Sequence, residues 1–192
     1  MGALIAFVFV GLFSPGPNIV LLTASGARFG FRHTIPHLAG ISLGVGAVAA
    51  LTALGIAAAL AARPTLEFAL KCAAAVWILW LAWRLLQTAA RPQAEDAGRP
   101  FTFAEAVIFQ AANPKVWAVA LAAAAGYPGG GTLTAEALRL ALVFMGINIC
   151  VCTFWTAAGN VLGKLLSSAT AWANFVRILA AFLALSAALV FI

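Results

Sequence analysis

Two short motifs carry the chemistry that this sequence offers most clearly. Each places proline beside a polar residue inside an apolar run, and the second ends in lysine. Proline lacks a backbone donor, so each motif leaves polar backbone groups that lipid cannot satisfy. Such breaks are tolerated only where protein buries them or where they line a wet cavity. The candidate substrate-binding residues are Ser14, Pro15, Gly16, Pro17 and Asn18 in the first motif, Asn113, Pro114 and Lys115 in the second, and Gln110 one turn before it.

The two motifs predict the binding of an anionic group at the start of a helix. Ser14 and Asn113 are good N-cap residue types, and each precedes a proline, which is favoured as the first residue of a helix. The first N–H groups of a helix lack partners, and the helix dipole is positive there. Two such ends facing one cavity would attract a carboxylate. Gly16 would let a ligand approach the backbone.

Lys115 has two interpretations, which are compatible. A cation at the centre of a bilayer costs about 2.5–3.5 kcal/mol on insertion scales. No acidic residue is expected deep in the membrane to pair with it, because Glu67, Glu105 and Glu136 all lie near segment ends. Lys115 could donate to carbonyls freed by the first break, as a structural cross-brace. Alternatively, it could face a wet cavity and bind the carboxylate of a substrate.

The composition identifies the elements that position these motifs. The chain has 192 residues, of which 65% are hydrophobic and 8% charged, and its mean hydropathy is +1.07. Soluble domains carry about 25% charged residues, so we predict an all-α integral membrane protein. A spanning helix needs about 20 apolar residues, and six such segments are predicted. They are 3–27 (broken at 14–18), 38–61, 66–87, 101–126 (broken at 113–115), 135–162 and 174–192.

The six segments form two halves of three, each opening with a broken helix. We predict a single transmembrane transporter domain over 1–192, with repeat one at 1–88, a polar linker at 89–100 and repeat two at 101–192. Because three is odd, the second repeat crosses the membrane in the opposite sense, as in many secondary transporters. At about 1.5 Å per residue, the breaks lie about 18 and 20 Å in from opposite faces. They can therefore meet near the middle of a core about 30 Å thick.

The distribution of Lys and Arg predicts the orientation, because cytoplasmic loops carry an excess of both. Both termini are then expected on the outer, periplasmic side. His33 and His37 flank a short basic loop between the first two segments, and we interpret them as interfacial residues, with proton coupling as the alternative. The predicted cytoplasmic set is Arg28, Arg32, Arg84, Arg91, Arg99, Lys164 and Arg177, against Arg63, Lys71 and Arg139.

Several function classes lack support in the sequence. The formal charge of +6 is spread over loops, which argues against nucleic-acid binding and favours contact with the anionic lipid bilayer. No Walker-type sequence is present, so ATP is not the direct energy source. No HExxH, buried acid pair or His/Cys cluster is present, so no metal, cofactor or catalytic residue is expected. The alternatives are a non-catalytic membrane scaffold or complex subunit and, less favoured, an intramembrane enzyme. A homo-oligomer stays open.

Taken together, the motifs resemble those of the LysE/RhtB amino-acid exporter family. Pro15-Gly16-Pro17 resembles the PGP motif of that family, and Asn113-Pro114-Lys115 fits its fourth segment. The stretches 26–32 and 38–44 are similar to the cysteine/O-acetylserine exporter branch. The resemblance implies a secondary active exporter of small amino acids or their derivatives in the bacterial inner membrane, driven by the proton gradient. Many relatives carry Asp where this chain has Asn18, which leaves open the group that binds the substrate ammonium or a coupling proton.

Overall fold

The fold is known from a computed structural model that describes residues 1–56, 59, 62–90, 99–166 and 168–191. Within these residues every regular element is a helix. Two 3-10 turns, Thr88–Ala90 and Leu189–Phe191, accompany seven α-helices in the described chain. The α-helices are α1 (Gly2–Phe13), α2 (Pro17–Ala53), α3 (Pro64–Gln87), α4 (Phe103–Ala111), α5 (Pro114–Gly126), α6 (Leu133–Leu165) and α7 (Ala169–Ala188).

Four of the described helices, α2, α3, α6 and α7, are long and apolar enough to cross a membrane. The pair α4 and α5 makes a fifth span if the two helices, bent by 62° at their junction, are counted as one. Helix α1 is apolar but has only 12 residues. The all-α membrane class is therefore confirmed. The described residues give four or five spans where the sequence predicted six, so the six-helix inverted repeat is not confirmed.

The main difference from prediction lies in the basic loop expected between the first two segments. Helix α2 runs through this stretch, so Arg28, Arg32, His33 and His37 are all helical. Only Gly30 leaves helical geometry, with φ 80° and ψ 168°. Glycine reaches positive φ without the steric penalty of a Cβ, so one residue is enough to kink the chain. The predicted loop was wrong because a cluster of charges does not end a helix by itself.

Most other predicted boundaries are close to the observed ones. Helices α3 and α6 each begin two residues before the predicted segments at 66 and 135, and the second break separates α4 from α5 as expected. Helix α2 stops at Ala53, within the second predicted segment. Positions 57, 58, 60 and 61 of that segment and 91–98 of the predicted linker lie outside the described residues.

Helices α2 and α6 cross at backbone contact distance. A Cβ added at Gly26 would clash with the carbonyl oxygen of Thr156, and one added at Gly159 would clash with the carbonyl oxygen of Thr23. Each glycine thus lies against the backbone of the other helix. Small residues at a helix crossing allow this approach, which gains dispersion contacts without side chains in between. The first part of α2, which follows the first break, is therefore held firmly against α6.

The second part of α2 packs closely against α4 in the same way, through glycines at the contact. A Cβ at Gly40 would clash with the carbonyl of Phe103, and one at Gly44 would lie 2.6 Å from Cγ of Gln110. Gly40 and Gly44, which form a GxxxG pair, therefore admit a neighbouring helix, and that helix is α4. Helix α2 thus packs closely on both α6 and α4, and this packing brings the first break close to the second.

Two apolar clusters meet at the start of α2. The first includes Leu12, Ile19 and Val116, and it lies among α1, α2, α5 and α6. The second includes Val20 and Phe109, together with residues of α3 and α7. Neighbouring residues of α2 thus belong to different clusters, immediately after Asn18. The polar residues at the breaks lie where these two clusters adjoin.

Candidate functional site

The first break is an extended stretch between α1 and α2. Gly16 is the N-cap of α2, and Pro17 is its first residue. The predicted N-cap role of Ser14 is therefore wrong. Ser14 instead ends α1, where its hydroxyl donates a 3.0 Å hydrogen bond to the carbonyl of Gly11. Two prolines in this motif could begin a helix, and the chain uses the second one.

The second break has the predicted helix start. Asn113 is the N-cap of α5, and Pro114 is its first residue. The side chain of Asn113 makes no capping hydrogen bond. The indole N–H of Trp117 donates a 2.9 Å bond to the carbonyl of Ala111, which satisfies one backbone acceptor that the break leaves behind.

Three polar side chains join the two breaks, and we call them the amide junction: Asn18, Gln110 and Asn113. Asn18 Nδ2 donates to Gln110 Oε1 at 2.8 Å, and Asn113 Nδ2 donates to Asn18 Oδ1 at 3.2 Å. Gln110 Nε2 donates to the carbonyl of Ala106 at 3.0 Å. Gln110 and Asn113 are almost fully buried. The predicted cavity-lining residues are thus brought together from regions more than 90 positions apart.

One acceptor of the amide junction has no partner. Asn113 Oδ1 is buried and receives no hydrogen bond from the described residues. Buried polar atoms are nearly always paired, and an exception calls for an explanation such as a water or a ligand donor. The junction can therefore accept one more N–H or O–H group.

Lys115 spans the two breaks from the other side. Its ammonium donates to the carbonyl of Ser14 and, at 3.2 Å, to that of Pro15. Its stem lies along Gly16, where an added Cβ would be 2.8 Å from Lys115 Cδ. The space beside Gly16 thus holds the lysine rather than a ligand in this arrangement. Among the described ion pairs, Lys115 takes part in none. These contacts match the interpretation of Lys115 as a structural cross-brace between the two breaks.

A small cavity of about 10 Å³ adjoins Lys115 and the amide junction. One water molecule needs roughly 10–15 Å³, so the cavity has room for about one water and none for an amino acid. The nine predicted site residues therefore converge in a closed arrangement. Ser14 and Pro15 contribute carbonyls, and Pro114 starts α5. The cavity is lined by Leu12, Gly16, Pro17, Asn18, Ile19, Asn113, Lys115, Val116 and Asn148.

A second, larger cavity was not predicted from the sequence. It has a volume of about 830 Å³, and we call it the arginine vestibule after three of its lining residues, Arg28, Arg84 and Arg99. It lies between the first part of α2, α3 and the start of α4. The three arginines were assigned only to the predicted cytoplasmic side. Their convergence depends on how separate helices pack, which no local spacing reveals.

The vestibule also contains an ion pair. Arg99 donates to both carboxylate oxygens of Glu105, at 2.6 and 2.7 Å. These bonds and the carboxylate charge raise the pKa of the Arg99 guanidinium. Glu105 in turn accepts a hydrogen bond from the N–H of Thr102, and the Thr102 hydroxyl accepts one from the Glu105 N–H, which closes a capping box at the start of α4. The pair is therefore fixed in place by the helix end.

His37, unlike His33, is buried within the protein. Its side chain is only 2% exposed, and its ring centroid is 5.0 Å from that of Phe101. Neither ring nitrogen has a hydrogen-bond partner among the described residues, although the ring lines the vestibule. His33 is exposed, and its described hydrogen bond is to the carbonyl of Phe29. The sequence could not show which of the two histidines is buried, because both follow the same basic stretch.

Apolar spans, interrupted helices and a buried amide junction define a multi-pass helical membrane protein with a polar centre. The chain belongs to the LysE type translocator family, whose model matches residues 9–192. This confirms the resemblance given by the two motifs. No solved structure matches the chain.

The chain is also similar to curated proteins named cysteine/O-acetylserine efflux protein. It is 38% identical to the one from Salmonella typhimurium over 101 residues, which cover 52% of this chain and 50% of that protein. It is 30% identical to those from Escherichia coli K12 and Shigella flexneri over 173 residues, covering 86% of this chain and 85% of theirs. The chain thus spans about half the length of the Salmonella relative in its alignment.

Proposed function

We propose that this protein is a secondary active exporter of small amino acids or their derivatives across the bacterial inner membrane. The observation that carries the proposal is the amide junction, which ties two helix breaks together beside a lysine. Polar backbone at membrane depth is tolerated where it lines a substrate path. Family membership and the names of the relatives support a cargo of the cysteine or O-acetylserine type.

The cargo would bind by exchanging contacts with Lys115. An amino acid carries its own ammonium group, which can take over the carbonyls of Ser14 and Pro15 that Lys115 now occupies. Lys115 would then be released to pair with the carboxylate of the cargo. The open acceptor on Asn113 offers the cargo a further hydrogen bond. In this scheme Lys115 is a structural cross-brace when the site is empty and binds the carboxylate when the cargo is present.

The proposed architecture keeps the inverted repeat. If α2 is divided at Gly30, residues 17–29 join α1 as one broken span, in the way that α5 joins α4. Each repeat is then a broken span followed by two unbroken ones, and the whole chain is one transporter domain. The Lys and Arg distribution supports periplasmic termini. The C-terminus can be fused to one reporter that is active only in the periplasm and, separately, to one that is active only in the cytoplasm. We expect activity from the periplasmic reporter alone, and activity from the cytoplasmic reporter would reject this topology.

The proton gradient is the proposed energy source. No carboxylate of the described residues lies at the amide junction, so a conventional acidic proton carrier is missing there. Lys115 has the required property of being displaced from its carbonyls in each cycle. We propose that protons are exchanged through Lys115 or together with the cargo. An uncoupler that collapses the proton gradient should then stop efflux in cells with intact ATP supply.

Efflux from bacteria overproducing the protein tests the function. Cells are loaded with a panel of small amino acids and toxic analogues, and both resistance and export are measured. The Lys115→Ala variant should lose export while it still inserts in the membrane. Lys71→Ala is the matched control, since Lys71 is partly exposed and pairs only with Glu67 one turn away. Absence of resistance and export for every amino acid would overturn the proposal.

A further inference from the structure

We infer that the arginine vestibule is a second binding site, which takes the carboxylate of the cargo before the cargo reaches the amide junction. The inference rests on the proposed function for the identity of the ligand. The vestibule volume of about 830 Å³ falls within the range of roughly 300–1,000 Å³ typical of small-molecule sites. The cavity beside Lys115 is far too small for the same ligand.

The charge in the vestibule favours an anion. Arg28 and Arg84 lie close enough to repel each other, and neither forms an ion pair with a carboxylate in the described part of the chain. The Glu105 carboxylate does not compensate them, because Arg99 already binds both of its oxygens. Two guanidinium groups in a concave site therefore attract an anionic ligand. Arginine suits this role, since its planar fork matches a carboxylate.

Both arginines are held by aromatic rings. The guanidinium carbon of Arg28 is 5.3 Å from the centroid of Phe29, and that of Arg84 is 5.1 Å from the centroid of Trp80. Arg28 Nε is buried and makes no hydrogen bond to the described residues. Such ring contacts limit the motion of the charged groups before a ligand arrives. A donor that is buried and unused is what an arriving carboxylate would pair with.

A second polar side chain points to a ligand independently. His37 is buried, lines the vestibule and leaves both ring nitrogens without a partner in the described residues. A neutral imidazole supplies one donor and one acceptor. A zwitterionic amino acid could use the acceptor through its ammonium group while its carboxylate contacts the arginines. A ligand without a hydrogen-bond donor would leave the acceptor unsatisfied, so the pattern favours an amino acid over a phosphodiester anion.

The vestibule leads toward the amide junction. Leu21, which lines it, is three residues after Asn18 on α2. Trp77 also lines it and packs edge-on against Phe109, the residue before Gln110, with 5.5 Å between ring centroids. Phe109 is fully buried. These apolar groups separate the vestibule from the junction, so cargo held on the arginines would wait outside a closed apolar barrier.

Binding to the purified full-length protein tests the inference without transport. The protein is placed in nanodiscs of phosphatidylcholine only, and binding of O-acetyl-L-serine is followed by tryptophan fluorescence. The wild type should respond to O-acetyl-L-serine and not to O-acetylethanolamine, which lacks the carboxylate. Trp80→Phe should remove most of the response, since Trp80 stacks on Arg84. A response to the amine alone, or competition by inorganic phosphate but not by L-serine, would overturn the inference.

Arginine variants locate the site. Arg28→Gln and Arg84→Gln should each weaken binding about tenfold, as loss of a charge-assisted bond implies, and raise the KM of export with little change in kcat. Arg32 is an exposed residue of the same basic stretch outside the vestibule, and the Arg32→Gln variant should bind as the wild type does. Lys115→Ala should retain vestibule binding although export is lost. Unchanged binding and KM in both arginine variants would overturn the inference while leaving the exporter proposal intact.

Discussion

Asn18 and Gln110 share a hydrogen bond of 2.8 Å that joins the start of α2 to the end of α4. Each residue lies next to one of the two breaks in the apolar chain. Asn18 acts as donor to Gln110 and as acceptor from Asn113, so it uses both ends of its amide. An aspartate at this position could accept both bonds but donate neither. The Asn18 amide therefore fixes which group donates and which accepts in each of these two hydrogen bonds.

Replacing Asn18 with leucine should destabilise the protein by about 1–3 kcal/mol, because Gln110 Oε1 and Asn113 Nδ2 each lose a bond to Asn18. Export should fall with it. Thermal unfolding in detergent measures the first effect, and efflux measures the second. Asn174→Leu is the comparison, since Asn174 bonds only to the exposed Arg177 on its own helix. Equal stability of the two variants would argue against a structural role for the junction.

Gly16→Ala should impair the protein through Lys115. The new methyl group would lie 2.8 Å from Lys115 Cδ, so the lysine stem must move away from the carbonyls that it binds. The backbone at Gly16 is extended, with φ 179°, and imposes no strain of its own. In a Lys115→Ala background the same change should therefore cost little. A double-mutant cycle of unfolding free energies should give a coupling of about 0.5–3 kcal/mol, and simple additivity would reject the contact.

Gly159→Ala should prevent correct packing of α6 on α2. Its methyl group would collide with backbone atoms of Thr23, which cannot rotate away. Gly146→Ala is a matched control on the same helix, since nothing lies within 4 Å of its added methyl group. That control should be neutral or more stable by roughly 0.5–1 kcal/mol, as alanine is the better helix former. Yield of folded protein and thermal unfolding compare the two variants.

Gly30→Ala should destabilise the protein by about 1–2 kcal/mol through the backbone alone. Its φ of 80° is unfavourable for a residue with a Cβ, while the nearest atom to the added methyl group is 3.5 Å away. Steric clash therefore makes little contribution. Gly2→Ala, in open space at the start of α1, should leave unfolding unchanged. A stability of Gly30→Ala equal to the wild type would mean that α2 is continuous through residue 30.

Trp77→Ala should loosen the apolar barrier at the inner end of the vestibule. Its indole packs against Phe109, so removal leaves a void between the vestibule and the amide junction. In proteoliposomes without a proton gradient, we expect the variant to let cargo leak passively and the wild type to show no leak. Trp83→Ala is the control, because Trp83 lies six residues further along α3 and is more than half exposed. A tight Trp77→Ala vesicle would show that other residues form the barrier.

The sequence was sufficient to predict the membrane class, both breaks and the residues that meet at them. These features depend on local composition and on prolines, whose effects on a helix hardly vary with context. The sequence could not decide whether Pro15 or Pro17 begins the helix, because both prolines have the same local chemistry. The loop expected at Arg28 was absent, since a single glycine turned the chain.

The arginine vestibule lies beyond what any local pattern can predict. Arg28, Arg84 and Arg99 come from different elements and face one cavity only after α2, α3 and α4 have packed. The sequence offered one usable signal, the surplus of arginine at one predicted membrane face. That surplus was interpreted as a guide to orientation, and it is compatible with a binding role as well.

The contact between Thr23 and Gly159 also has a consequence for biosynthesis. The first part of α2 finds its closest neighbour about 130 residues later in the chain. Chains are synthesised at roughly 5–20 residues per second, so this partner emerges on the order of ten seconds after α2 enters the membrane. For most of that interval, until residues 110–115 have been synthesised, Asn18 and the open carbonyls of the first break lack the hydrogen-bond partners that they have in the folded protein. A nascent chain in this state needs temporary shelter at the insertion machinery, and its early half should be a preferred target of membrane proteases when translation stalls before α6.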